Sequence, residues 1–78
     1  PKEYEVLANL YGKAVRSAVE GVIANGGRMV VNGRLVTVPW AEATPEQKRA
    51  LIEREASDAK SALTRELRAS GLYGAPTP

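Results

Sequence analysis

Few side chains in this sequence could take part in chemistry. It contains no His and no Cys, so the commonest general base and the strongest nucleophile are both missing. Three carboxylates, Glu53, Glu55 and Asp58, could act as acids or bases, but Arg and Lys are interleaved with them. Mixed charges of this kind are typical of a solvated helix face. We therefore expect no catalytic residues and no enzymatic activity.

No binding site for a metal or a cofactor is indicated either. Cys and His, the usual ligands of structural zinc, are absent, and no acidic loop has the spacing of a calcium site. Gly26-Gly27 is not followed by Lys-Ser/Thr, and the strand–glycine–helix order of a phosphate-binding loop is missing. We expect neither a metal nor a cofactor.

The first element predicted by the pattern is a helix over residues 3–24, where apolar residues recur at helical spacing. The residues of this stripe are Tyr4, Leu7, Tyr11, Ala14, Val15, Ala18 and Val22, with Leu10, Val19 and Ile23 beside them. Asn25-Gly26-Gly27 ends the helix. In an alternative interpretation the helix ends near Gly21, and residues 22–24 form a third strand that turns at Asn25-Gly26.

A β-hairpin follows, because two β-branched runs flank Asn32-Gly33, the strongest short-range hairpin signal. A two-residue loop pairs Val30 with Leu35, and alternation then sorts the side chains onto two faces. The predicted core face has Arg34 at its tip and contains Met29, Val31, Val36 and Val38. The predicted outer face contains Arg28, Val30, Leu35 and Thr37.

Pro39 ends the second strand because it cannot donate a ladder hydrogen bond, and we expect Trp40 to seal the hairpin against the helices. A capping box at Thr44, with Pro45 at the first helical position and Gln47 at the third, opens a second helix. Ser70-Gly71-Leu72 closes it after about 26 residues. The apolar stripe of this helix contains Leu51, Ile52, Ala56, Ala59, Leu63 and Leu67.

The chain therefore predicts a single α+β domain of the helix–β-hairpin–helix type over residues 1–72, with an extended, Pro-rich tail over residues 73–78. It has 78 residues, one Trp, one Met and no Phe. Such a small domain buries little apolar surface, so we expect self-association or docking on a larger complex to complete it. The tail reads as a loose end or as an arm that orders on a neighbour.

Two sets of residues are candidates for contacts with a partner. The apolar set is Val30, Leu35, Trp40, Tyr73, Ala56 and Ala59, of which the two alanines would let another helix approach closely, either the first helix or one from a second subunit. The basic set, for nucleic acid, is Arg28 and Arg34 on the hairpin with Lys60, Arg65 and Arg68 on the second helix. Net charge is only +2 and acidic residues are scattered throughout, so nucleic acid is not favoured.

The element order, the hairpin sequence MVVNGRLVTV and the terminal GLYG resemble the small head–tail joining proteins of lambda-type phages, over about Val6 to Tyr73. The resemblance implies a non-catalytic assembly protein that inserts at the phage neck as a ring, with the hairpin and tail contacting neighbouring subunits. No catalytic residues carry over from that family.

The sequence thus favours a phage-type structural or assembly protein that forms homo-oligomers or joins a larger complex. The alternatives are a small phage-encoded binder that inhibits a host protein, and a β-hairpin DNA-binding protein. No apolar run is long enough to span a membrane, and no signal-peptide pattern is seen. We expect the protein in the cytoplasm or in a virion assembled there.

Overall fold

A computed structural model describes residues 2–72 and shows a helix, a hairpin and a second helix in that order. The elements are helix α1 (Lys2–Asn25), strand β1 (Gly27–Val31), strand β2 (Arg34–Val38), a 3₁₀ turn (Trp40–Glu42) and helix α2 (Pro45–Ala69). The predicted α+β fold, with an antiparallel hairpin between two helices, is confirmed.

Helix α1 continues without a break through Gly21, so the alternative with a third strand at residues 22–24 is wrong. Its last turn is closed by a hydrogen bond in which Gly26 N–H donates to the Val22 carbonyl, at 2.7 Å. A Cβ at position 21 would meet no atom within 4 Å. The glycine therefore only lowers helix propensity there, and the apolar stripe on either side of it keeps the segment helical.

The hairpin has the predicted register, with Val30 opposite Leu35 and Val31 opposite Arg34. Asn32 and Gly33 form the turn with φ of 53° and 76°, the positive values that a two-residue hairpin loop requires. Burial on the predicted core face decreases along β2 towards the turn. Val38 is buried and Val36 is 39% exposed, because only the base of the hairpin lies against the helices.

Both ends of α2 are capped as predicted. Gln47 N–H donates to Thr44 Oγ1 at 3.1 Å, and Thr44 N–H donates to Gln47 Oε1 at 3.0 Å. At the other end Gly71 has φ of 79°, and Leu72 N–H donates to the Leu67 carbonyl at 2.9 Å. This is the Schellman arrangement, in which a residue with positive φ lets the chain turn back and satisfy the last carbonyls.

The two helices pack antiparallel. Tyr11 Oη lies 2.5 Å from Thr64 Oγ1, and Leu7 lines the same groove as Leu67. The Thr64 hydroxyl itself donates to the Lys60 carbonyl at 2.9 Å, so Tyr11 is the donor in the bond between the helices. We call the end where α1 begins and α2 finishes the open end, and the other end the hairpin end.

The core of the described part of the chain is small, and its centre is Leu51, which is 1% exposed. The buried apolar residues are Val22, Val38, Ala43, Leu51 and Leu67. Not all of the predicted stripe on α1 is covered, since Tyr4 is 70% exposed and both Leu10 and Ile23 are also exposed. For Tyr4 the reason is geometric, because α2 ends at Ala69 and offers no further turn to cover it.

At Gly27 the hairpin lies close against α2. A Cβ there would lie 2.5 Å from Leu51 Cδ2, and because Leu51 is only 1% exposed, its side chain would have to shift within the core. We expect Gly27→Ala to lower the free energy of unfolding by about 1–3 kcal/mol. Urea denaturation measures this change.

The control is Gly21→Ala, which adds the same methyl group where nothing is within 4 Å. We expect this substitution to raise stability by about 0.5–1 kcal/mol, as is usual for Gly→Ala within a helix. Equal effects of the two substitutions would contradict the close packing at Gly27.

The hydrogen bond from Tyr11 also allows a clean test of the helix pairing. Tyr11→Phe removes the hydroxyl and leaves the partly buried ring, so we expect a loss of about 0.5–1.5 kcal/mol in thermal or urea unfolding. Tyr4→Phe is the matched control, and its exposed hydroxyl predicts a change near zero. A null result for Tyr11→Phe would mean that the helices are held by apolar contacts alone.

Candidate interaction surfaces

The outer face of the hairpin is an exposed surface with an apolar centre. Val30 and Leu35 lie opposite each other across the strands and are 69% and 57% exposed. Arg28 and Thr37, the next pair on the same face, are also exposed. We call these four residues the hairpin face. The sequence predicted both its composition and its exposure.

The backbone of the same residues is available for hydrogen bonding. Among residues 2–72 the sheet has two strands, so within this part of the chain each strand has one unpaired edge. Because the loop has two residues, Val31 and Arg34 form a hydrogen-bonded pair, and alternation makes Val30 and Leu35 a non-hydrogen-bonded pair. The N–H and C=O groups of Val30 and Leu35 therefore point outward from the two edges.

Trp40 is half-buried and is engaged within the chain. It begins the 3₁₀ turn, which packs against α1, and Lys48 Nζ lies 5.1 Å from the centre of its ring. A cation at this distance over an indole ring is favourable. Trp40 thus closes the connection between β2 and α2, and only part of its ring remains on the surface.

Ala56 and Ala59 are both half-buried on α2. By helical spacing Ala59 points between the directions of Leu51 and Leu67, and Ala56 points close to the direction of Leu67. Both alanines are therefore partly covered within a single chain.

A second apolar surface, which the sequence did not indicate, is a groove of about 420 Å³ at the open end. Its lining consists of Lys2, Glu3, Val6, Leu7, Leu10, Leu67, Gly71 and Leu72. We call it the open-end groove. Although the Leu72 backbone turns back to Leu67, its side chain is 71% exposed. Val6, which lies off the predicted stripe, is also exposed.

The basic candidates do not form one surface. Arg28 and Arg34 point to opposite faces of the hairpin, since each residue step along a strand reverses the side chain and their pairs alternate. Arg65 and Arg68 are exposed near the open end. The rise of α2 separates Arg65 from Pro45 by about 30 Å. Lys60, also on α2, is exposed.

Tyr73 lies outside the described residues. Its neighbour Leu72 is at the open end, and α2 rises about 27 Å between Leu51, beside the base of the hairpin, and Ala69.

Within residues 2–72, no three Asp or Glu side chains come together as they would around a metal ion. The helices of this part of the chain are also too polar to cross a membrane. Comparison with known proteins gives no relative: no family model, no curated protein and no solved structure matches the chain. Its function must therefore be argued from the surfaces themselves.

The separation of the arginines predicts that the protein binds DNA weakly. A hairpin that enters a groove needs its basic side chains on one face or edge, so we expect weak binding to duplex DNA. We also expect the double variant Arg28→Ala/Arg34→Ala to shift the midpoint of the DNA-binding curve, measured by fluorescence anisotropy, by no more than about twofold. Arg65→Ala serves as the control at the other end. Tight, steeply salt-dependent binding that the hairpin variant abolishes would contradict this interpretation.

Proposed function

We propose that the chain is a non-catalytic assembly protein that acts by self-association or by docking on a larger complex, with the hairpin face as its contact surface. The observation that carries this proposal is the exposed Val30–Leu35 pair on a chain with a very small core. The proposal includes a phage-type structural role, which rests on the resemblance in element order and hairpin sequence.

The balance of buried and exposed apolar residues supports the need for a partner. Within residues 2–72, five apolar residues are buried, whereas eight large apolar residues are exposed. A domain that buries so little of itself gains stability when a further subunit covers its apolar side chains. Leu51 is the side chain that comes closest to complete burial among those described.

The form of the hairpin face suits a protein contact. It has an apolar centre, Val30 and Leu35, beside a polar pair, Arg28 and Thr37, which is the usual arrangement of a core and rim at interfaces. The outward N–H and C=O groups of the same strands add backbone hydrogen bonds if a partner strand approaches. Natural proteins rarely leave such an edge uncovered unless it is protected or used.

Sedimentation velocity from micromolar to submillimolar protein tests the proposal. We expect the native chain to form a defined oligomer. The variant Val30→Thr/Leu35→Thr places β-branched residues, which suit strands, at both positions and removes the apolar centre. Because a buried Val or Leu contributes about 1.5–3 kcal/mol, we expect its dissociation constant to rise at least about tenfold.

Val36→Thr is the matched control, since Val36 is also exposed but points to the opposite face. It should leave the oligomer unchanged, and circular dichroism should show all variants folded. A mass of one chain at every concentration, together with high thermal stability, would contradict the proposed self-association. The phage role is tested separately, by whether the reading frame lies among genes for head and tail proteins.

A further inference from the structure

The first half of helix α1 carries a self-complementary stripe on a side that the rest of the described chain leaves exposed. The stripe consists of Glu3, Val6, Leu10 and Lys13, and we call it the outer stripe. We propose that it binds a second copy of this chain, with the two α1 helices antiparallel about a two-fold axis level with Ala8. This contact is separate from the hairpin face and does not depend on the proposed function.

The spacing of the outer stripe is that of a helix–helix seam. Its four residues follow one another at intervals of three, four and three positions, which is the spacing of a coiled-coil seam. Their directions around the helix axis lie within about 80° of one another. All four side chains are exposed within residues 2–72, so the stripe is available to a helix that packs along it.

The shape of the surface also suits a second helix. Val6 and Leu10 line both the open-end groove and a second hollow, so they form a ridge between the two. The second hollow has a volume of about 350 Å³ and is lined by Val6, Asn9, Leu10, Lys13 and Arg16. Helices pack by placing the ridge of one in the groove beside the ridge of the other. The open-end groove suits a partner's ridge better, because Leu67 and Leu72 add apolar side chains to it.

The charges at the two ends of the stripe identify the partner as a second copy. Val6 and Leu10 are each two residues from Ala8, and Glu3 and Lys13 are each five residues from it. One antiparallel two-fold axis therefore places Val6 opposite Leu10 twice and Glu3 opposite Lys13 twice. A parallel pair would instead place like charges beside each other, which is unfavourable. The same four residues thus supply both halves of a closed, symmetric contact.

Charge reversal in the variant Val30→Thr/Leu35→Thr tests the proposal, because this background removes association through the apolar centre of the hairpin face. We expect the background protein still to form dimers in sedimentation velocity at micromolar to submillimolar concentration. Glu3→Lys should raise the dissociation constant about tenfold, because it converts two attractive pairs into two repulsive ones. Glu3→Lys/Lys13→Glu restores opposite charges, and should return the dissociation constant to within about twofold of the background.

Glu5→Lys is the matched control. Glu5 is also exposed and lies in the same first turn of α1, so its reversal changes the net charge and the charge at the helix N-terminus in the same way. Its side chain points about 160° away from that of Glu3. Glu5→Lys should therefore change the dissociation constant by no more than about twofold, and circular dichroism verifies that every variant is folded.

The outcomes separate this contact from the hairpin face. A background protein that stays monomeric up to submillimolar concentration would overturn the outer stripe as a contact and leave the hairpin face unaffected. Equal effects of Glu3→Lys and Glu5→Lys, or no recovery in Glu3→Lys/Lys13→Glu, would also overturn it, because Glu3 would then have no Lys13 opposite. Recovery in that double reversal would support the outer stripe, even if the hairpin substitutions themselves left the oligomer unchanged.

Discussion

The contact between the backbone of Gly27 and the side chain of Leu51 positions the hairpin against α2. Leu51 is the most completely buried of the described core residues, and Gly27 lies so close to it that a Cβ on residue 27 would displace the Leu51 side chain. This contact joins the hairpin to α2, and the hydrogen bond from Tyr11 to Thr64 joins α1 to α2 farther along. With so few buried residues, the position of the hairpin depends on its base, and the turn at Asn32-Gly33 is held only by the strands.

The consequence is a molecule with different surfaces at its two ends. At the hairpin end, exposed side chains and outward backbone groups coincide at Val30 and Leu35. At the open end, the groove between α1 and the last turn of α2 has a mainly apolar lining with Lys2 and Glu3 among its residues. The hairpin face therefore offers a partner both apolar side chains and backbone groups, whereas the groove is lined by side chains of the two helices.

Local sequence predicted the elements well because each is determined by nearby residues. The Asn32-Gly33 turn sets the register of the hairpin, and Thr44 and Gly71 set the two ends of α2. Whether a side chain is buried depends on residues distant in the sequence, which explains why the apolar stripe of α1 is not covered along its whole length. Tyr4 belongs to the apolar stripe by its spacing, yet it is exposed because α2 stops short of it. The open-end groove was missed for the same reason, since it exists only where residues far apart in the sequence meet. Neither the role nor the partner could be derived, because no residue here carries a chemical signature.

The Schellman turn at the end of α2 also determines how the protein can be connected to other chains. Lys2 and Leu72, the two boundaries of the described fold, line one groove, so the two ends of the described backbone lie near each other. Anything joined to either boundary emerges at the open end and leaves the hairpin end clear. Folds with adjacent boundaries tolerate circular permutation, and the exposed turn at Asn32-Gly33 is the site best suited to the new chain ends. An added domain or label at either boundary would therefore lie far from the hairpin face.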